Sequence, residues 1–232
     1  MKGYASIARR GNRTSRQILT PFHPVPRLSI YETTCSERCC VVSLRVGGSR
    51  LERCKLVSRN GNEFKSFHAL CESLATELKR SVILDGEIVC LDGDGKSLFY
   101  DLLFRRGEPR FVAFDLLHCD GEDLTYSPLV ERKQRLRAIL PKNSQSVLFC
   151  DHIEAAGEEL FAIACKRDLE GIVAKHKFGP YLQDAAQWFK IRNRKYSQWA
   201  GREKFFERER EVDPDMTVWA SCVLACEDHS AR

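Results

Sequence analysis

The chain has 232 residues, 43% of them hydrophobic and 30% charged, with a net charge of +5. That is enough to bury one large core with tails, and it is too mildly basic for a dedicated nucleic-acid arm, although a polyanionic partner is compatible with it. No run approaches the ~18 apolar residues of a membrane span, and no apolar segment follows the basic N-terminus, so a cytoplasmic protein with no membrane partner is expected.

Residues 1–50 are rich in Arg, Ser, Thr, Pro and Cys and show little helix or strand period. They are expected to form an irregular, disrupted N-terminal segment. From 51 to 209 strand and helix signals alternate, and 210–232, with Asp213-Pro214-Asp215, reads as a C-terminal tail. Eleven cysteines are an odd number, and Cys90, Cys150 and Cys165 sit singly in apolar runs. Buried reduced thiols are the reading. Cys35, Cys39 and Cys40 cluster, as do Cys222 and Cys226, but neither group has Cys-x-x-Cys spacing with a well-placed histidine, so structural zinc is not expected.

Within the middle zone, a strand at Arg53–Val57 runs into the turn Asn60-Gly61. Phe67, Leu70, Cys71, Leu74 and Leu78 recur at helical spacing, predicting a helix over 66–80 with Ser66 as its cap. Ser81–Leu91 reads as a strand closed by Asp92-Gly93-Asp94-Gly95, with Val82, Leu84, Ile88 and Cys90 on one face. Phe111–Leu117 is another strand; Ser127-Pro128 starts a helix that Leu140-Pro141 ends. A helix over 157–167 and strands over 171–176 and 186–192 complete the zone. Short turns between strands favour an α+β fold of antiparallel sheets flanked by helices over a doubly wound parallel sheet.

The chemistry-bearing residues lie on those strands. Strand alternation puts Asp85 and Glu87 on one face, where they can accept hydrogen bonds from a hydroxylated ligand or help hold a metal; a plain polar face is the alternative. Glu170 opens an apolar strand that ends in Lys175-His176-Lys177, a carboxylate and amines that suit a magnesium-bound polyphosphate. In Trp188-Phe189-Lys190-Ile191-Arg192, Lys190 and Arg192 share one face, Phe189 and Ile191 the other, which is also how an edge strand is protected.

Taken in order, Ser58-Arg59-Asn60-Gly61, Leu84-Asp85-Gly86-Glu87, Phe114-Asp115-Leu116-Leu117, Glu170-Gly171-Ile172-Val173-Ala174-Lys175 and Trp188-Phe189-Lys190-Ile191-Arg192 resemble the nucleotidyltransferase (adenylation) domain of ATP-dependent DNA ligases. With the continuation Tyr196-Ser197-Gln198 and Gly201-Arg202, the match is closest to bacterial end-joining ligases rather than to RNA ligases or capping enzymes. The resemblance implies an ATP-grasp-like nucleotidyltransferase fold with its N-terminal part incomplete, ATP and Mg2+ as cofactors, and nicked or broken double-stranded DNA as partner in repair or recombination, alongside other end-joining proteins. It further implies that Arg59 contacts phosphate, Glu87 the ribose and Phe114 the adenine, that Lys175 and Lys190 bind the α-phosphate region, and that Glu170 places the metal. Arg192 stands where the family usually has a lysine, which keeps the charge and changes the geometry.

The family's nucleophile is a lysine in Lys-x-Asp-Gly, upstream of the Ser58-Arg59 motif. No such motif occurs in the 232 residues; the region reads Cys39-Cys40-Val41-Val42-Ser43-Leu44-Arg45. Two readings follow from the resemblance: a ligase adenylation domain that is catalytically impaired, or a non-catalytic remnant that binds nucleotide or DNA.

Overall fold

A computed structural model describes residues 17–19, 29–32, 40–47, 50–58, 63–93, 95–182 and 188–197. In chain order the elements are β1 (Gln17–Leu19), β2 (Ser29–Glu32), β3 (Cys40–Gly47), β4 (Arg50–Ser58), α1 (His68–Leu78), β5 (Val82–Val89), α2 (Phe99–Leu103), β6 (Arg110–Cys119) and β7 (Glu122–Asp123). Then follow α3 (Leu129–Ile139), β8 (Val147–Phe149), β9 (Ile153–Glu154), α4 (Gly157–Lys166), β10 (Gly171–His176) and β11 (Trp188–Arg192). The strands form two sheets, one ordered β1-β11-β10-β2-β9 and the other β4-β3-β5-β6-β7 with β8 also on β6. Every described pairing is antiparallel except β1 on β11 and β8 on β6. This is the expected α+β architecture.

Alternation along β5 and β6 sorts the six-stranded sheet into two faces. Val82, Leu84, Ile88, Ala113 and Leu116 join Leu70, Leu74 and Leu78 of α1 in the main core, while Val89, Val112 and Phe114 form a separate cluster with Cys150 on the other face. Leu74, Leu84 and Leu116 are fully buried, each worth roughly 1.5–3 kcal/mol relative to exposure. The β5–β6 register slips twice, between Ile83 and Leu84 and between Asp85 and Gly86, leaving Leu117 and Phe114 of β6 as extra residues. A bulge of this kind sets two consecutive side chains on one side of a strand. Hence Ala113 and Leu116 both face the core, although strict alternation would separate them.

Gly86 is dictated by this packing, because a Cβ there would stand 2.2 Å from the Val112 carbonyl oxygen and 2.5 Å from the Phe111 ring. In the other sheet Ile172 and Ile191 pack against Leu160 and Ala164 of α4. The opposite face of β10 and β11 is left to face Phe114.

Two expectations are corrected. The stretch 1–50, expected to be irregular, contributes β1, β2 and β3, and β3 lies inside its sheet between β4 and β5. Buried Cys40, Val42 and Leu44 alternate there with the more exposed Val41, Ser43 and Arg45, a strand period despite the unusual composition. Ser66 does not cap α1: it lies in a 3-10 turn over Lys65–Phe67, and the residue at the helix start is Phe67, with no side-chain capping bond. Burial of Phe67 in the core anchors that start. The Asn60-Gly61 turn and the tail 210–232 lie outside the described residues.

Candidate functional site

The site is built where β10 and β11 face β6. Cross-strand register places Lys175 opposite Trp188, Val173 opposite Lys190 and Gly171 opposite Arg192, so Lys175, Lys190, Arg192 and Trp188 share one face, as alternation predicted. Both lysines are buried, at 2% and 1% exposure, and Arg192 is half-buried. The Lys175 ammonium sits 4.8 Å from the centre of the Trp188 ring and 5.5 Å from that of Phe114 on the other sheet. Two aromatic faces thus cradle a desolvated cation, an arrangement worth up to ~2 kcal/mol.

Lys190 Nζ donates to Glu170 Oε1 at 2.9 Å. Gly171, which follows Glu170, adopts φ +151°, and a Cβ there would lie 2.1 Å from the Ile191 carbonyl oxygen. The Asn193 backbone N–H donates to the Glu170 carbonyl at 2.8 Å, and Asn193 Nδ2 donates to the Leu169 carbonyl at 2.9 Å, fixing the strand entrance. Glycine in this motif is therefore a demand of close strand approach.

On β5, Asp85 and Glu87 are both buried, and Glu87 is the Cα partner of Val112 and so shares the face of Val112 and Phe114. Asp85 is the Cα partner of Asp115. Of the residues singled out from sequence, Phe114 meets Lys175 and Glu170 meets Lys190, and the two lysines share one face of β10 and β11. Glu87 and Arg192 lie on the same two facing surfaces, and Arg59 lies outside the described residues. Cys40 turns away: its thiol is in the core and donates to the Gly86 carbonyl at 3.7 Å. Cys39 lies outside the described residues.

Among the described residues no three His, Cys, Asp or Glu side chains gather into a metal cage. Glu170 offers one carboxylate, and magnesium commonly takes one or two from a protein when phosphates supply further oxygens. The donor set fits an ion carried in with a polyphosphate.

Sequence reasoning missed Arg132 and Lys133 of α3, buried at 1% each. Lys133 Nζ donates to the carbonyls of Phe114 at 3.2 Å and Cys150 at 2.8 Å, covering β6 between its pairings with β8 and β7. The signal was legible: Arg132 stands three residues after Leu129 and four before Leu136, on the stripe that both leucines bury.

Beside the strand entrance, burial pushes the Asp168 carboxyl up, but hydrogen bonds from the Ser197 hydroxyl and N–H and the nearby Lys96 ammonium outweigh it and hold it below its ordinary value. A depressed folded pKa means a stabilising contribution complete above the unfolded value of about 4 and lost as pH falls through the folded one. Asp168→Asn should therefore lose less stability between pH 7 and pH 3 than the parent. Urea midpoints at both pH values check this, and equal losses would refute it.

A family model described as ATP dependent DNA ligase domain matches residues 44–192. The chain is 35% identical over 155 residues to the multifunctional non-homologous end joining protein LigD of Pseudomonas aeruginosa, covering 62% of this chain and 18% of that protein. It is 29% identical over 215 residues to the bifunctional non-homologous end joining protein LigD of Bacillus subtilis, covering 78% of this chain and 34% of that one. The chain thus spans only 18% and 34% of the lengths of these curated relatives. Among solved structures it is similar to mycobacterial DNA ligase D complexed with ATP and MES, with a TM-score of 0.62 and 26% identity over 77% of this chain and 60% of that one. Chlorella virus DNA ligase-adenylate, at 14% identity, a TM-score of 0.50, and 77% and 67% coverage, shares the fold.

Proposed function

The chain belongs to the ATP dependent DNA ligase domain family, and from that premise we propose that it is the adenylation domain of an end-joining-type DNA ligase that binds ATP between its two sheets without forming a covalent enzyme-AMP. The observation that carries this reading is the Lys175 ammonium held between the Phe114 and Trp188 rings, on the same face as the buried Lys190–Glu170 pair. Phe114 supplies the surface for adenine, a stacking contact worth about 1–3 kcal/mol per base. Glu87 accepts from the ribose hydroxyls.

Lys175 exchanges its ring contacts for the α-phosphate as the base enters. Lys190 and Arg192 supply further positive charge along the same face, and Arg59 adds a phosphate contact. Magnesium, when bound with ATP, offsets phosphate charge, and Glu170 is the residue to hold it. In a complete ligase these groups stabilise charge developing during adenylyl transfer and serve nicked or broken double-stranded DNA. Here the amine that would take the adenylyl group is missing from the sequence. Other end-joining repair proteins and a cytoplasmic setting belong to the same reading, in which the chain retains recognition and has lost the covalent step.

The test is calorimetric titration of the full chain with ATP and magnesium, beside Phe114→Leu, which keeps bulk and removes the ring, and Lys175→Gln, which removes the charge. The parent is expected to bind and each variant to weaken by about tenfold or more, as loss of ~1.4 kcal/mol requires. A parent that binds while both variants match it would put the nucleotide elsewhere. A folded parent that does not bind would overturn the reading.

A further inference from the structure

We propose that Arg132 is a positioning residue of the nucleotide site, setting where Phe114 on one sheet stands relative to Lys175 on the other. The proposal rests on the nucleotide-binding reading of that site and identifies what holds its two halves in register. Arg132 makes no contact with Phe114, Lys175 or Lys190 in any hydrogen bond or ring contact described above. Its influence runs through its neighbours.

The guanidinium is anchored on four sides. Nε donates to Asp115 Oδ1 at 2.8 Å and one terminal nitrogen to Asp115 Oδ2 at 2.7 Å, a bidentate pair buried at both ends. The other terminal nitrogen donates to the Ser127 carbonyl and, at 3.1 Å, to the Gly179 carbonyl. The charge also lies 5.9 Å from the centre of the Tyr181 ring. Asp115 Oδ1 accepts in addition from the Leu116 N–H at 2.9 Å, so the same carboxylate braces the bulge at Phe114.

These contacts close a circuit. Asp115 follows Phe114 in β6; Arg132 ties Asp115 to the β10–β11 connection at Gly179 and Tyr181; the Tyr181 ring meets Trp188 edge-on at 5.3 Å between centres. Trp188 cradles Lys175, and Lys175 lies over Phe114. Removing the guanidinium opens the circuit at the point joining the two sheets. A lysine there would keep the charge beside Asp115 but could not serve the carboxylate bidentately and both carbonyls together, because only arginine presents a planar fork of five donors.

Arg132→Lys is tested in a background with Trp188 as the single tryptophan (Trp199→Phe, Trp219→Phe). Two readouts are taken on protein that unfolds cooperatively: Trp188 emission with acrylamide quenching in the absence of nucleotide, and ATP affinity with magnesium. A positioning role predicts red-shifted emission, stronger quenching and a Kd raised by about tenfold or more. A folded Arg132→Lys with unchanged emission, quenching and affinity overturns the proposal, since a merely structural residue lowers the melting temperature and leaves the folded site intact. If Arg132→Lys does not fold, Tyr181→Leu cuts the circuit while sparing the ion pair, and the same readouts decide. Were the parent not to bind ATP, the nucleotide reading would fail, and Trp188 would still report whether Arg132 sets the geometry between the sheets.

Discussion

Lys190→Ala is expected to destabilise the protein by about 3–5 kcal/mol, the cost of leaving one member of a buried ion pair without its partner. Lys190 and Glu170 are 1% and 4% exposed at the side chain and 2.9 Å apart, so loss of the ammonium strands a carboxylate with little water to solvate it. Set against a typical total stability of 5–15 kcal/mol, that loss brings the domain near its unfolding threshold. Glu170→Leu combined with Lys190→Met removes both charges and should recover most of the loss, because a buried pair replaced by apolar side chains is often neutral. Urea midpoints at constant slope report the difference. If Lys190→Ala costs under ~1 kcal/mol, as an exposed pair would, the pair does not have the buried character assigned to it.

Much of this site was legible because its strands obey simple alternation. Lys190 and Arg192 against Phe189 and Ile191, and Asp85 beside Glu87 two residues on, follow from a period of two, and the observed registers keep it. Helix bounds came within a residue or two where Pro128 and Pro141 punctuate the chain. Other features needed three dimensions. The β6 bulges break alternation after Phe114, and nothing local announces an inserted residue; it shows only in the pairing with β5. β3 was obscured because its composition resembles the irregular segment around it, while its buried residues Cys40, Val42 and Leu44 show the period plainly once paired. Arg132 and Lys133 lie on the buried stripe of Leu129 and Leu136, which the spacing already marks, but the acceptors that hold them, Gly179 and Cys150 among them, are distant in sequence and show only in the fold.

The proposed nucleotide site is expected to lack a covalent step, an expectation that rests on the absent Lys-x-Asp-Gly motif and on the described residues around the site. On β3, the strand paired with Asp85 and Gly86, the residues on the side of Asp85 are Val41, Ser43 and Arg45, none of which supplies a nucleophilic amine. The Cys40 thiol points into the core, and Lys55 on β4 is tied to Glu63. Of the amines inside the site, Lys190 is engaged by Glu170 and Lys175 by two aromatic rings, so both already have partners in the folded chain. The direct measurement is incubation of the full chain with magnesium and ATP labelled at the α-phosphate, followed by denaturing electrophoresis. The account predicts no labelled band, in a preparation that binds ATP by calorimetry; a band stable to hydroxide and labile to acid, as a lysyl phosphoramidate must be, would contradict it.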